Sequence, residues 1–403
     1  SFDYYSAGVN VLIDKFLPRR DWLNQLKWRG SWSVVGNPIP NTLFARQSYD
    51  FSNGTISTRP PLFDDPQPET TTSFETGLDV WMFENKFNFD LTYYNSTLRN
   101  QFLYVTTANG ESKPVNTGKI RNYGLEFQAS YRWNINKDWR WQTGFNIAWN
   151  DNRILETYKT ESGAPYEVQM GPNAFKIKYV EGGRYGDIYV NSFARDENGH
   201  IKINDAGNYE NAVPVMASGK YETKVGNMTS PVTLGWNNTF TWKNFTLYFL
   251  IDGRIGGKVM SLTEADLDLY GLSERSAQDR LNGERVMQNG KEYILKPLPD
   301  GSGNKVSVEN YYTTIGALPM EDHVYNATSL RMRDISLSYD MPNLFGKNQG
   351  MTAQFSVKNA FFIYKDSPVD PDISVSAANG YSGIDCYSLP TTRSFALTLK
   401  FNF

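Results

Sequence analysis

Period-two alternation dominates this chain. Over 123–133, Tyr123, Leu125, Phe127, Ala129, Tyr131 and Trp133 belong to the apolar class, and Gly124, Glu126, Gln128, Ser130 and Arg132 stand between them. With 40% of the residues apolar, such a window arises by chance roughly 3 times in 10⁴. Side chains that change face at every residue belong to a strand. The same pattern runs through Leu26, Trp28, Trp32 and Val34, through Phe74, Leu78, Val80 and Met82, and through Phe87, Phe89, Leu91 and Tyr93. It returns in Trp139, Trp141, Phe145, Ile147 and Trp149, in Val232, Leu234, Trp236, Phe240 and Trp242, and in Phe245, Leu247, Phe249 and Ile251. Ile335 to Met341, Ala353 to Val357 and Phe395 to Phe403 complete ten segments, and a weaker eleventh lies near 6–13. Most have room for about ten residues. At ~3.3 Å per residue and ~45° tilt such a strand rises about 23 Å, close to the ~25 Å apolar band of a membrane barrel. Strands in soluble proteins usually have ~5–6 residues.

A soluble sandwich also shows one apolar face, so alternation leaves both readings open. Three features favour the membrane. Short connections (Glu84-Asn85, Asn134 to Asp138, Lys243-Asn244, Pro342 to Gly350) alternate strictly with long ones, the asymmetry of barrels with short periplasmic turns and long extracellular loops. Aromatic residues crowd the short turns: Trp81, Phe83 and Phe87, then Trp133, Trp139 and Trp141, then Trp242 and Phe245. Amphipathic rings belong at a water–lipid boundary. The charges Lys27, Arg29, Glu75, Asp79, Asp90, Glu126, Arg132 and Arg140 all fall on the face opposite the greasy one. Arg331 and Arg333 break the phase, since they share it with Ile335 and Leu337; either that strand starts above the bilayer or a bulge shifts it.

Composition narrows the field further. A net charge of −3 argues against a nucleic-acid partner. One cysteine, Cys386, excludes a disulfide framework or a cysteine-built metal site, and two histidines, His200 and His323, leave no metal-binding histidine motif. No cofactor is implied. Aromatic residues make up 15% of the chain, too much ring surface for a disordered protein. Ser1 opens the chain without an initiator methionine or a secretory leader, so it reads as the interior of a longer polypeptide.

The chain resembles the C-terminal part of a transporter of the SusC/RagA type, within the TonB-dependent outer-membrane family. The resemblance rests on an ordered set of phrases. They are Leu26-Lys27-Trp28-Arg29-Gly30-Ser31-Trp32, Pro68 to Asp79, Asn116 to Glu126, Gly256-Gly257, Ser329 to Tyr339, Lys358 to Phe362, Asp370-Pro371-Asp372 and the closing Pro390-Thr391-Thr392-Arg393 with its alternating tail. It implies an all-β fold: the C-terminal half of a transmembrane antiparallel barrel of roughly 22 strands, closed around a plug, with long extracellular loops. It implies location in the bacterial outer membrane and active import of oligomeric nutrients, either oligosaccharides or oligopeptides. The implied partners are a SusD-like surface lipoprotein lid, TonB, and the N-terminal half of the same barrel. Plug, TonB box and about half the strands are absent from the chain, and eleven strands leave two edges that lipid cannot satisfy.

Candidate site residues are few. Phe395, Leu397, Leu399, Phe401 and Phe403 resemble the C-terminal strand read by the outer-membrane assembly machinery, with an ordinary final strand as the alternative. Arg195 to Gly199 reads as a tight turn, with an oxygen-rich calcium loop as the alternative. Thr263 to Arg285 reads as a loop helix capped by Thr263, a solvated surface helix with a lid contact as the alternative. The two longest loops carry Tyr158, Tyr166, Phe175, Tyr179, Tyr185, Tyr189 and Phe193, then Tyr270, Tyr293, Tyr311, Tyr312 and Tyr325. Rings of this kind stack on sugars or clamp peptides, and they equally pack loops or meet a lid. The candidates for substrate contact are Arg184, Tyr185, Tyr189, Tyr311 and Tyr312. No nucleophile elbow, phosphate loop or histidine triad appears, so no enzyme is expected. Carboxylate pairs such as Asp64-Asp65 keep a soluble glycan-active protein open as a rival. A passive porin is a second rival.

Overall fold

The computed structural model describes residues 4–38, 49–52, 55–58, 67–106, 112–116, 118–159, 163–164, 167–170, 174–317, 320–347, 349–372, 374 and 383–402. Phe403, Tyr166 and the pair Asp64-Asp65 lie outside them.

The alternating segments form one antiparallel sheet of eleven strands. They are β1 (Tyr5–Leu12), β2 (Leu23–Asn37), β3 (Glu69–Met82), β4 (Phe87–Arg99), β5 (Lys119–Asn134) and β6 (Trp139–Glu156), followed by β7 (Val232–Trp242), β8 (Phe245–Ile255), β9 (Ser329–Gly346), β10 (Gln349–Lys365) and β11 (Ser394–Asn402). Their order in the sheet is their order in the chain, so each pairs with its sequence neighbour. Among the described residues, the outer edges of β1 and β11 have no strand partner.

The turns explain the pairing. Lys243-Asn244 joins β7 to β8 with Lys243 at φ +50°, and the register runs unbroken from Trp242↔Phe245 to Val232↔Ile255. Between β5 and β6 the Asn136 side chain accepts from the backbone N–H groups of Asp138 and Trp139, both at 2.9 Å. A short polar side chain thus supplies the turn that the ladder cannot.

Register sorts the two faces. Met82, Phe87, Tyr131, Thr143, Asn238, Phe249, Ile335, Val357 and Phe395 are successive cross-strand partners in one row. The two polar members of this apolar row lie under rings. Trp141 Nε1 donates to Asn238 Oδ1 at 3.0 Å and Trp236 Nε1 donates to Thr143 Oγ1 at 2.9 Å, which meets much of the cost of placing polar groups on a greasy face. Along the short-turn end, Trp139, Trp242, Phe245 and Tyr339 form a ladder of rings with centroids 5.6, 6.0 and 4.5 Å apart. The large apolar side chains of this face are open to the surroundings; Leu397 is 71% exposed and Phe355 51%.

The sheet's packed interiors lie instead at its long-connection end. There Ile120 and Ile154, from the ends of β5 and β6, meet Phe175, Ile177, Ile188 and Val190 of a four-stranded sheet (Val168–Met170, Phe175–Tyr179, Asp187–Val190, Thr223–Asn227). A second core gathers Phe193, Ile201, Leu298, Val306, Tyr311, Tyr312 and Ile315. Among the described residues no helix is long and apolar enough to cross a membrane, a statement that does not bear on strands.

Two expectations need correction. The helix expected over Thr263 to Arg285 is two helices, α1 (Leu262–Leu269) and α2 (Glu274–Asn282), capped by Ser261 and Ser273 rather than Thr263. Gly271 at φ +67° breaks the run, and Arg285 already belongs to the strand Glu284–Gln288. A third helix, α3 (Val308–Ala317), had no expectation. The turn expected at Pro342 to Gly350 is shorter, because β9 continues to Gly346 and β10 starts at Gln349. Pro342 is tolerated because the pairing shifts register between Met341 and Gly346, where no ladder N–H is required.

Candidate functional site

The polar face carries a laterally braced row of charges. Lys27 Nζ lies 2.7 Å from Asp79. Arg29 donates to both carboxylate oxygens of Asp90, one at 2.8 Å, and to Thr92 Oγ1. The guanidinium reaches across β3 because Gly77 stands beneath it: a Cβ there would sit 3.0 Å from Arg29 Cζ and 2.9 Å from the Leu91 carbonyl oxygen. Gly124 serves Tyr94 in the same way, leaving its hydroxyl free to meet Asn150 Nδ2. Beside them Asp90, Glu126, Gln128, Asn146 and Thr233 line an open groove of about 330 Å³. A wall of carboxylates, amides and hydroxyls is stable against water or polar protein and costly against hydrocarbon.

The phase break at Arg331 and Arg333 is a bulge. Register shifts occur between Leu250 and Ile251 on β8 and between Met332 and Asp334 on β9, so the extra residue turns Arg333 to the polar face while Met332 and Ile335 stay on the apolar one. There the arginines hold the Asp370-Pro371-Asp372 segment. Arg331, 3% exposed, donates to Asp370 Oδ1 at 2.5 Å and its guanidinium lies 3.9 Å from the Phe362 ring centre. Arg333 bridges Asp252 and Asp372 at 2.6 and 2.7 Å, and Arg254 also pairs with Asp372. Burial works against the Asp370 carboxylate, but hydrogen bonds from Arg331 and Thr391 hold its pKa below the ordinary range.

The loop cores place the other candidates. Tyr185 stacks on Tyr179 at 4.8 Å and its N–H donates to Asn152 Oδ1 at 2.6 Å. Arg184 Nε lies 2.6 Å from Asp151. Tyr189 lies beneath Lys178 Nζ at 5.0 Å. Tyr311 and Tyr312 are each 3% exposed. Their rings flank Lys296 Nζ at 3.9 and 4.6 Å, and their hydroxyls donate to Asp322 and Asp279. Burial pushes both phenols well above the usual tyrosine range. They pack the second loop core, so substrate reaches them only if that core opens. Arg195 to Gly199 is a turn in which Asp196 accepts from the N–H groups of Asn198 and His200, both at 2.9 Å. Its carboxylate oxygen is thereby committed to the backbone. The five C-terminal candidates separate as one outside the described residues, Phe403, and four on the apolar face of β11. There Phe395 pairs with Val357, Leu397 with Phe355, Leu399 with Ala353 and Phe401 with Met351.

One polar centre had no sequence signal. Asp268 on α1, with no exposure, accepts from Ser273 Oγ at 2.5 Å and from Arg275 Nε at 2.9 Å, and lies 2.8 Å from His323 Nε2. Burial opposes its ionisation, yet the contacts with His323, Arg275 and Ser273 hold its pKa below the ordinary carboxylate value. The residues are up to 55 positions apart, so neither spacing nor composition could pair them. The centre ties α1, α2 and the turn Met320–His323 together.

The chain matches known proteins along its length. The family profile described as TonB-dependent receptor-like, beta-barrel covers residues 1–252. TonB-dependent receptor P3 of Formosa agariphila is 23% identical over 446 aligned positions, which take in all of this chain and 42% of that protein. TonB-dependent receptor SusC of Bacteroides thetaiotaomicron is 24% identical over 435 positions, covering all of this chain and 40% of SusC. The solved structure titled as the RagAB peptide transporter superposes with a TM-score of 0.70 at 17% identity, over 99% of this chain and 43% of that one. The chain thus spans about two fifths of the length of the curated relatives it matches.

Proposed function

We propose, on the premise that the chain belongs to the TonB-dependent receptor-like β-barrel family, that it is the C-terminal half of an outer-membrane importer of oligomeric nutrients. Its eleven strands are a wall of an outer-membrane barrel, apolar face to lipid and polar face to the lumen. The proteins it matches are receptors and transporters rather than enzymes, so the soluble glycan-degrading alternative falls away. The free edges of β1 and β11 close against a segment of the same polypeptide outside this chain, since unpaired ladder groups cannot persist in hydrocarbon. That segment carries the plug and the contact with TonB. A SusD-like lipoprotein seats on the long-loop end, and the cargo is an oligosaccharide or an oligopeptide. The strand Ser394–Asn402, with Phe403 after it, acts as the assembly signal.

The observation that carries this reading is the pairing of an exposed apolar face with a braced, charged opposite face in strands long enough to cross a bilayer. Inactivating the gene in its host and supplying defined oligosaccharide and oligopeptide pools tests it. Import of one pool should be lost, and in the parent strain that import should stop when the proton-motive force is collapsed. Import that survives collapse identifies a passive porin. Unchanged uptake of every pool removes the import reading.

A further inference from the structure

On the lipid-facing side of β4 to β6, just beyond the apolar band, lies a basic patch whose charges the protein compensates only in part. Tyr93, Leu125 and Trp149 are cross-strand partners at the top of that band. Two residues further toward the long-loop end come Asn95, Tyr123 and Asp151, then Thr97, Arg121 and Arg153, then Arg99, Lys119 and Glu156. At ~3.3 Å per residue the first arginine row stands about 13 Å along the strands from Trp149, and less in height because strands tilt. Headgroups occupy that level.

Two like-charged pairs sit directly opposite one another: Arg121↔Arg153 between β5 and β6, and Arg99↔Lys119 between β4 and β5. Such pairs destabilise a sheet unless something neutralises them. Lys119 finds Glu156 at 3.2 Å. Asp151 is already committed to Arg184 at 2.6 Å and to the Tyr123 hydroxyl at 2.9 Å. Among the described residues no carboxylate pairs with Arg99, Arg121 or Arg153. Arg121 is nevertheless held in place, donating to Asn95 Oδ1 at 2.9 Å with its guanidinium 5.1 Å from the Tyr123 ring centre. The same row carries Thr97, Thr72 and Val34 on the neighbouring strands, so the charge is local to this sector of the wall.

We propose that Arg99, Lys119, Arg121 and Arg153 bind the phosphate groups of an anionic lipid in the leaflet on the long-loop side. Phosphate satisfies several guanidinium groups at once, the acyl chains lie against Trp149 and Leu125, and the like-charge repulsion becomes the binding energy of the bridging anion. This site rests on the outer-membrane reading given above.

The test titrates bisphosphorylated lipid A, dephosphorylated lipid A and inorganic phosphate separately into the complete detergent-extracted protein, with bound species counted by native mass spectrometry. The expected result is retention of the phosphorylated lipid alone. A membrane-proximal basic residue contributes about fivefold in affinity, so R121Q/R153Q should weaken retention roughly 30-fold. R121K/R153K, which keeps the charge, should stay within about fivefold of wild type, and K137Q/K243Q on the short-turn end should change nothing. The lysine variant keeps the test sound if the glutamine variant folds poorly. Equal retention of dephosphorylated lipid, or retention unaffected by R121Q/R153Q, overturns the proposal. Inorganic phosphate competing as well as the lipid overturns it in favour of a soluble anion. A protein that stays dissolved without detergent would instead defeat the membrane reading itself.

Discussion

The wall and the loop cap solve opposite problems with the same residue types. On the wall Phe355, Leu337 and Leu397 point outward, at least half exposed, and the opposite face holds Lys27, Arg29, Asp79 and Asp90. In the cap Phe175, Ile177 and Val190 are sealed from solvent, and the exposed positions are polar loops such as Asp196 to Gly199. Water drives the cap's apolar side chains together. The wall's apolar side chains have no such drive, because hydrocarbon already suits them; its stability comes from ladder hydrogen bonds that have no competing water. Hydrophobic burial therefore belongs to the loops, and hydrogen bonding to the strands.

Substitutions can sharpen or break that contrast. The largest effects should fall on the cap and its attachment. Arg331→Leu leaves Asp370 buried without its main partner, a loss of ~3–5 kcal/mol. Hydrogen exchange should show the segment around Asp370 to Asp372 released while β9 and β10 keep their protection. Phe175→Ala opens a cavity in the first loop core, again costing about 3–5 kcal/mol. Faster proteolysis within 157–231 should follow, with no change in the heat resistance of the barrel. On the wall, Phe145→Arg, about midway between the Trp139 ring ladder and Trp149, should cost ~2–4 kcal/mol, measured by denaturant unfolding in lipid, whereas Asn146→Arg on the adjacent lumen-facing position should cost far less. Equal costs for the two would erase the distinction between the faces.

Smaller effects probe the join between helices. Ser261→Ala removes the cap of α1 and the partner of Asp385, and should cost about 0.5–2 kcal/mol. The Asp268 centre should make the cap acid-sensitive. Its folded pKa lies below the unfolded value, so its contribution is complete above the unfolded carboxylate range and is lost as pH falls through the folded pKa. Hydrogen exchange across 262–282 should rise as pH drops below about 4, and Asp268→Asn should remove that dependence. A cap whose acid response is the same in the variant would place the sensitivity elsewhere.

The wall was legible in the sequence because its information is local. Alternation at Tyr123 to Trp133 fixes face, length and strand type without knowledge of any partner, and Lys243-Asn244 fixes register by itself. The misfit at Arg331 and Arg333 marked the place of the bulge, although a strand starting above the bilayer read equally well there. The cap was not legible, because its contacts join residues far apart. Tyr311 and Tyr312 read equally as binding rings or as loop packing, and their place is set by Lys296, Asp279 and Asp322, which no local pattern links to them. His323 and Asp268 meet across 55 positions. The break at Gly271 needed the positive φ to be seen, since Thr263 to Arg285 reads as one polar helix by composition.

Facing decides the whole account, and β8 offers the most direct measurement. Spin labels placed singly at Thr246, Leu247, Tyr248, Phe249, Leu250 and Ile251 of the complete protein, with native cysteines replaced, report contact with oxygen dissolved in lipid and with a water-soluble nickel chelate. Oxygen contact should peak at 247, 249 and 251, while the chelate reaches the even positions wherever the lumen is open. Odd positions shielded from both reagents would put those side chains in a dry protein core and contradict the barrel-wall account.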